Sequence, residues 1–203
     1  MSRLELDHVL IAVSDLGPAA AEAERRFGAA SVEGGRHPGW GTANRIVPLG
    51  TSYLELIAVV DAAEAEGSAI GAWVAAAAAE EPRLLGWAAR PDDLDGVAAR
   101  HGLTIAHGSR QAPGGELLSW RSAGLERAVA EPCLPFFIEW SAETRFPGLA
   151  AEPPELSIRE LGLTGDERRL ADWLGSHDMP IVVRPGPPAV ERLVLSGRTT
   201  RWF

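Results

Sequence analysis

Three times along this 203-residue chain a short apolar run meets an acidic residue and passes into an alanine- and arginine-rich stretch: IAVSDLGPAAAEAERRFG, WAARPDDLDGVAARHGL and LGLTGDERRLADWLG. Such a joint is a strand entering a helix, the acidic side chain capping the unpaired N–H groups of the first turn. Repetition of the joint predicts an internal repeat. After the first two joints the same order of three further strands follows, so the chain reads as two βαβββ modules. For the third joint alone, the ordinary strand-to-helix turns of any α+β chain explain the pattern as well, and it opens at most a partial βαββ unit.

In the first module strands are expected at Leu4–Val13, Ser31–Glu33, Thr42–Leu49 and Ser52–Val59, with a helix from Pro18 to Phe27 stopped by Gly28. The stretch GGRHPGWG at 34–41 reads as a turn. Alanine's helix propensity makes Ser68 to Glu80 a connecting helix. The second module is expected to use strands Leu84–Ala89, Leu103–His107, Leu117–Arg121 and Pro135–Trp140, with a helix capped at Asp92–Asp93 and running through His101. The partial unit follows with strand Leu156–Leu163, helix Glu167–Leu174 capped by Thr164 or Asp166, and strands Ile181–Arg184 and Glu191–Leu195. The expected divisions are 1–63, 64–82 for the connector, 83–145 and 146–203.

Composition removes several function classes. A hydrophobic content of 46% suffices for a proper core, while no run of eighteen apolar residues and no secretory pattern occur, so a cytoplasmic protein without a membrane span is expected. A net charge of −9 opposes a phosphate backbone, which argues against a nucleic-acid partner. All 19 basic residues are arginine, leaving no lysine for a Schiff base or a phosphate-binding loop. Cys133 is the single cysteine, so neither an internal disulfide nor a cysteine zinc site can form, and between two prolines it reads as structural.

Alternation in the first strand puts His8 on one face with Leu6, Leu10 and Ala12, and Val9, Ile11 and Val13 on the helix side. A lone strand histidine is ordinarily structural. More telling, Glu55 sits in the apolar strand Tyr53–Ile57, and Glu139 in Phe136-Phe137-Ile138-Glu139-Trp140. A carboxylate in such a setting is costly unless a cation or hydrogen-bond donors meet it. One imidazole and two carboxylates form a donor set that suits a divalent metal.

At these residues the chain resembles the vicinal-oxygen-chelate superfamily and its glyoxalase-like proteins. The resemblance is carried by LDHVLIAVSDL with His8, RHPGWGTANRIVPLG, YLELI with Glu55 and PFFIEW with Glu139, and covers residues 4 to 140. It implies an α+β fold of paired βαβββ modules around a cleft, with His8, Glu55 and Glu139 as metal ligands and Glu55 and Glu139 as the carboxylates able to move a proton. The family's fourth ligand would stand opposite His8 within LLGWAA at 84–89, where Gly86 or Trp87 falls and no ligand type occurs. A three-ligand site for Zn, Ni, Mn, Fe or Mg would then be completed by water or substrate. It differs from the two histidines and one carboxylate of the related extradiol dioxygenases.

The stretch from His37 to Asn44 is typical of the group the chain resembles and places His37, Trp40 and Asn44 around the cleft mouth, although a turn held by its own His and Asn fits equally. Tyr53 and Phe137 are expected beside the carboxylates. Trp120 and Arg121 are candidates for a wall and an anion contact, of which alternation lets only one face inward. The resemblance implies a metal-dependent lyase or isomerase for a small molecule with vicinal oxygens. A second reading is a metal-free protein that binds an aromatic or drug-like compound, supported by seven tryptophans. The C-terminal RLVLSGRTTRWF is expected to shield a sheet edge or build a homodimer, with Arg201-Trp202-Phe203 as a docking tip.

Overall fold

A computed structural model of the chain describes residues 3–78, 81–149, 156–196 and, for the backbone alone, 198–200. Its first module runs β1 (Leu4–Ala12), α1 (Leu16–Phe27), β2 (Val32–His37), β3 (Thr42–Pro48) and β4 (Tyr53–Val59). Two short helices, α2 (Ala62–Glu66) and α3 (Ala69–Ala77), lead to the second: β5 (Arg83–Pro91), α4 (Leu94–His101), β6 (Ile105–Gln111), β7 (Leu117–Ala123), α5 (Leu125–Ala130) and β8 (Phe136–Trp140). The third unit is β9 (Ile158–Thr164), α6 (Glu167–Leu174), β10 (Ile181–Arg184), β11 (Ala189–Leu195) and β12 (Arg198–Thr200). The expected α+β architecture of paired βαβββ modules followed by a third, smaller unit is the observed one, and that third unit carries one strand, β12, beyond the expected βαββ.

Helix starts follow from side-chain chemistry. Asp15, Asp93 and Asp166 each accept hydrogen bonds from first-turn backbone N–H groups, and Gly28 and Gly102 end α1 and α4 in the left-handed conformation. Helix α1 begins at Leu16, so Pro18 lies inside the first turn, where a missing N–H leaves no bond broken. Helices α2 and α5 were not apparent in the sequence, being too short to show a period. The connecting helix is shorter than Ser68 to Glu80: Ser68 is its cap and Ala77 its last residue, with Ala79 and Glu80 outside the described residues. Arg201, Trp202 and Phe203 also lie outside them. No described helix is long and apolar enough to cross a membrane.

Eight strands form one sheet in the order β2-β3-β4-β1-β5-β8-β7-β6, with β1 and β5 antiparallel at the join between modules. Within each module the first and last strands pair in parallel, β1 with β4 and β5 with β8. The sheet curls until its outermost strands, β2 and β6, touch. Gly35 permits that approach, since a Cβ there would stand 2.4 Å from the Gln111 carbonyl oxygen and its φ of 131° is one that L side chains rarely adopt.

The convex face buries Val9, Ile11, Val13, Leu54, Leu56 and Trp87 beneath α1 and α4. The same core continues through Leu161, Leu163, Leu193 and Leu195 of the smaller sheet, ordered β10-β9-β11-β12. The concave face carries Leu10, Ala12, Ile57, Ala88 and Ile138, packed by Ile70 and Val74 of α3. Gly86 leaves room there for the Trp73 ring, whose nearest atom would be 2.4 Å from a Cβ. With one end of the concave face plugged by these helices, a cleft remains over β1, β4 and β8.

Candidate functional site

Leu6 and His8 of β1 pair with Ala89 and Ala88, consecutive residues of β5, so Asp7 is an extra residue in the ladder. Such a bulge re-aims side chains and is common beside active sites. Here it buries Asp7 and His8 together, with His8 Nδ1 2.7 Å from Asp7 Oδ1. It also explains why Leu6, expected beside His8, packs in the convex core instead. The other Asp7 oxygen accepts from Arg90 Nη1 at 2.8 Å and Trp140 Nε1 at 3.2 Å. Arg90 in turn binds Glu5 and lies over the Phe146 ring at 4.2 Å. Asp7 is thereby compensated and fixes the orientation of the His8 imidazole.

Across the sheet His8 pairs with Tyr53, Glu55 with Leu10, and Asn44 with Ile57. His8, Glu55 and Asn44 are therefore diagonal neighbours on three adjacent strands, all facing the concave side. Glu55 Oε1 accepts from Asn44 Nδ2 at 2.7 Å, and Glu55 Oε2 lies 3.3 Å from His8 Nε2. With Nδ1 directed at Asp7, the Nε2 lone pair would face a carboxylate oxygen, an arrangement that is repulsive unless a proton or another cation lies between them. The Tyr53 ring stacks on His8 with centroids 4.6 Å apart.

His37 closes the far side, its Nδ1 3.0 Å from Thr42 Oγ1 and its Nε2 3.8 Å from Glu55 Oε1. Burial lowers its pKa to about 4, against the pull of Glu55 and assisted by Arg110 and His8, so the ring is neutral at pH 7. Burial raises the Tyr53 hydroxyl well above its ordinary pKa, with Asp7 and Glu55 adding to the effect, so it stays protonated. Trp40, Trp120 and Trp140 form an aromatic wall, with Trp120 6.0 Å from Trp40 and 5.5 Å from Trp140 between ring centroids. The cavity enclosed by these residues is ≈ 30 Å³, within ≈ 470 Å³ of space between the side chains that includes open solvent.

The structure brings His8, His37, Trp40, Asn44, Tyr53, Glu55 and Trp120 into this one cleft. It does not bring Glu139, Arg121 or Phe137 there. Parallel pairing sets Phe136 and Phe137 of β8 against Ala88 and Ala89 of β5, as Tyr53 is set against His8. The β8 residue at the rank of Glu55 is therefore Ile138, and Glu139 stands one residue further along, on the opposite face. Glu139 binds Arg121 Nε at 2.7 Å, and Arg121 also binds Asp95, forming an ion-pair group on the outer surface. Phe137 enters the convex core, stacked on Trp173 at 5.6 Å. Phe136 lines the cleft in its place.

The position opposite His8 is Ala88, rather than Gly86 or Trp87, because the bulge shifts the register by one. Module two thus presents Ala88 and Ile138 where module one presents His8 and Glu55. The donor set does not fit a ring of metal ligands drawn from both modules, and among the described residues no group of three or more His, Cys, Asp or Glu could hold a metal ion.

Phe136, Trp140 and Arg110 in the cleft, and Asp7 behind His8, are not singled out by the sequence. Asp7 and Phe136 are missed because their faces depend on register, and Trp140 because it follows Glu139. Arg110 is missed because IAHGSRQ has no apolar alternation to orient it.

The sequence profile of a family described as a glyoxalase-like domain matches residues 6–177. No curated protein matches the chain. Among solved structures, a hypothetical protein from Staphylococcus aureus superposes with a TM-score of 0.69 at 13% identity, covering 95% of this chain and 90% of that one. Methylmalonyl-CoA epimerase from Mycobacterium tuberculosis gives 0.46 at 21% identity, covering 66% and 85%. A Streptomyces coelicolor methylmalonyl-CoA epimerase variant in complex with 2-nitronate-propionyl-CoA gives 0.48 at 18%, covering 68% and 97%. At such identities the first likeness speaks for fold alone. With the family profile spanning most of the chain and the paired modules in place, this protein belongs to the glyoxalase-like domain family of the vicinal-oxygen-chelate superfamily.

Proposed function

We propose that the cleft is a proton-transfer site of lyase or isomerase type for a small organic molecule with adjacent oxygens. The Asp7–His8–Glu55 chain carries this reading: a buried carboxylate held by one amide, facing an imidazole that a second carboxylate orients. Glu55 would take a proton from a carbon next to a carbonyl. The proton shared between Glu55 Oε2 and His8 Nε2 would be given up to a neighbouring atom for isomerisation, or to a departing group for elimination, with the abstracted proton taking its place. Neutral His37 and protonated Tyr53 add no charge that would compete for it.

Superfamily members commonly bind divalent metals, and the resemblance implies Zn, Ni, Mn, Fe or Mg. Because the donors present do not fit that ring, no step is assigned to a metal. The alternative of a non-catalytic binder is favoured by the three-tryptophan wall alone.

Incubation with 2-oxo and 2-hydroxy carbonyl compounds in D2O, followed by NMR, tests the choice. Deuterium should enter at the carbon beside the carbonyl faster than in buffer, and Glu55→Gln should remove the excess. If compounds quench tryptophan fluorescence but none exchanges, the binder stands and the enzyme falls.

A further inference from the structure

Arg110 reaches the cleft from β6, in module two, and is 4% exposed. Its Nη1 donates to the Gly34 carbonyl oxygen across the seam where β2 meets β6. Nearby arginines outside the cleft are neutralised: Arg90, behind His8, by Glu5 and Asp7, and Arg121, on the outer surface, by Asp95 and Glu139. Arg110 has no carboxylate within ion-pair range among the described residues. A guanidinium carries five donors, and the seam uses one of them. A neutral amide could hold that seam equally well, so the seam itself does not require the buried charge, although burying it is costly.

We propose that Arg110 makes the cleft a receptor for a carboxylate, and that the molecule bound there is a small organic acid with a planar apolar body. The choice of anion follows from the surroundings. One guanidinium fork matches one carboxylate in bidentate fashion. A phosphate dianion would demand more donors and, with twice the charge, would be repelled more strongly than a carboxylate by Glu55, which shares the cleft. Trp40, Trp120 and Trp140 supply flat apolar walls for the body of the acid. Burial already pulls the Arg110 pKa down against the opposing field of Glu55, and an incoming carboxylate would relieve that penalty. This deepens the proton-transfer reading and rests on it only for the part of the acid placed against Glu55.

The test is tryptophan fluorescence titration of the full chain with matched pairs, each an aromatic or aliphatic 2-oxo acid and its primary amide. The parent should bind the acid at least tenfold more tightly than the amide in one or more pairs. Arg110→Gln, which keeps a donor for Gly34, should abolish the preference without a large change in melting temperature, and Arg110→Lys should retain part of it. Equal binding of acids and amides, absence of binding by every acid, or an unchanged preference in Arg110→Gln overturns the proposal. Glu55→Gln should keep the acid preference while losing deuterium exchange. Acid preference without exchange in the parent upholds the carboxylate receptor and defeats the catalytic reading; exchange without acid preference does the reverse.

Discussion

The two modules share one topology and differ on their concave faces. Where β1 and β4 offer His8 and Glu55, β5 and β8 offer Ala88 and Ile138. The first half therefore concentrates the acidic and imidazole groups, and the second contributes the walls Phe136, Trp120 and Trp140 together with Arg110, the one arginine among the described lining residues. Duplication supplies a closed scaffold, and chemistry need only occupy one copy of it. Reactive side chains on diagonal positions of adjacent strands are enough to build the cluster, while the other copy sets its shape and polarity.

The sharpest break in this comparison is Glu55→Gln against Glu139→Gln. Loss of a general acid or base lowers rates by about 10²–10⁴-fold, so Glu55→Gln should cut deuterium exchange by that order. Glu139→Gln should leave exchange unchanged within error, and equal losses in both would erase the asymmetry. Next comes Ile138→Glu, which gives module two the carboxylate that module one has. Without an amide or imidazole to meet it, the buried charge should cost about 3–5 kcal/mol in urea unfolding; a neutral result would mean that module two is already a polar half-site.

A smaller effect concerns His37. Its pKa is about 4 in the folded state against an ordinary 6.5, so the unfolded chain binds the proton first as pH falls. The stabilisation is complete above pH 6.5 and is lost progressively down to about pH 4. Parent protein should lose up to about 3 kcal/mol more than His37→Asn across that window. Parallel pH profiles for the two would show that His37 is not held neutral by its surroundings. The smallest expected change is none: prolonged dialysis against a chelator should leave exchange rate and melting temperature as they were. A fall in either, reversed by a divalent cation, would restore a metal to module one.

Much of the architecture was legible because its signals are local. Asp15, Asp93 and Asp166 announce their helices through capping chemistry, and Val9, Ile11 and Val13 announce the helix-facing side of β1 by alternation. The same alternation put His8 and Glu55 on faces that the structure turns toward each other. It misled at β8, where Phe136, Phe137 and Ile138 are all buried, so apolar pattern cannot tell one face from the other. Strand β2 extends through Gly34 to His37, where a turn was expected, because a bulge at Gly34 lets the pairing continue. Arg110 depends on a long-range seam between strands 76 residues apart, which no local pattern encodes.

Removing Asp7 from the strand would leave Leu6 pointing outward, His8 inward and Val9 outward again, restoring alternation at that step while taking from His8, Arg90 and Trp140 the carboxylate they share. A single-codon deletion could thus silence the imidazole by taking away its anchor while sparing the barrel. Gain or loss of activity across relatives of this shape can turn on an insertion too small to register as a change of fold.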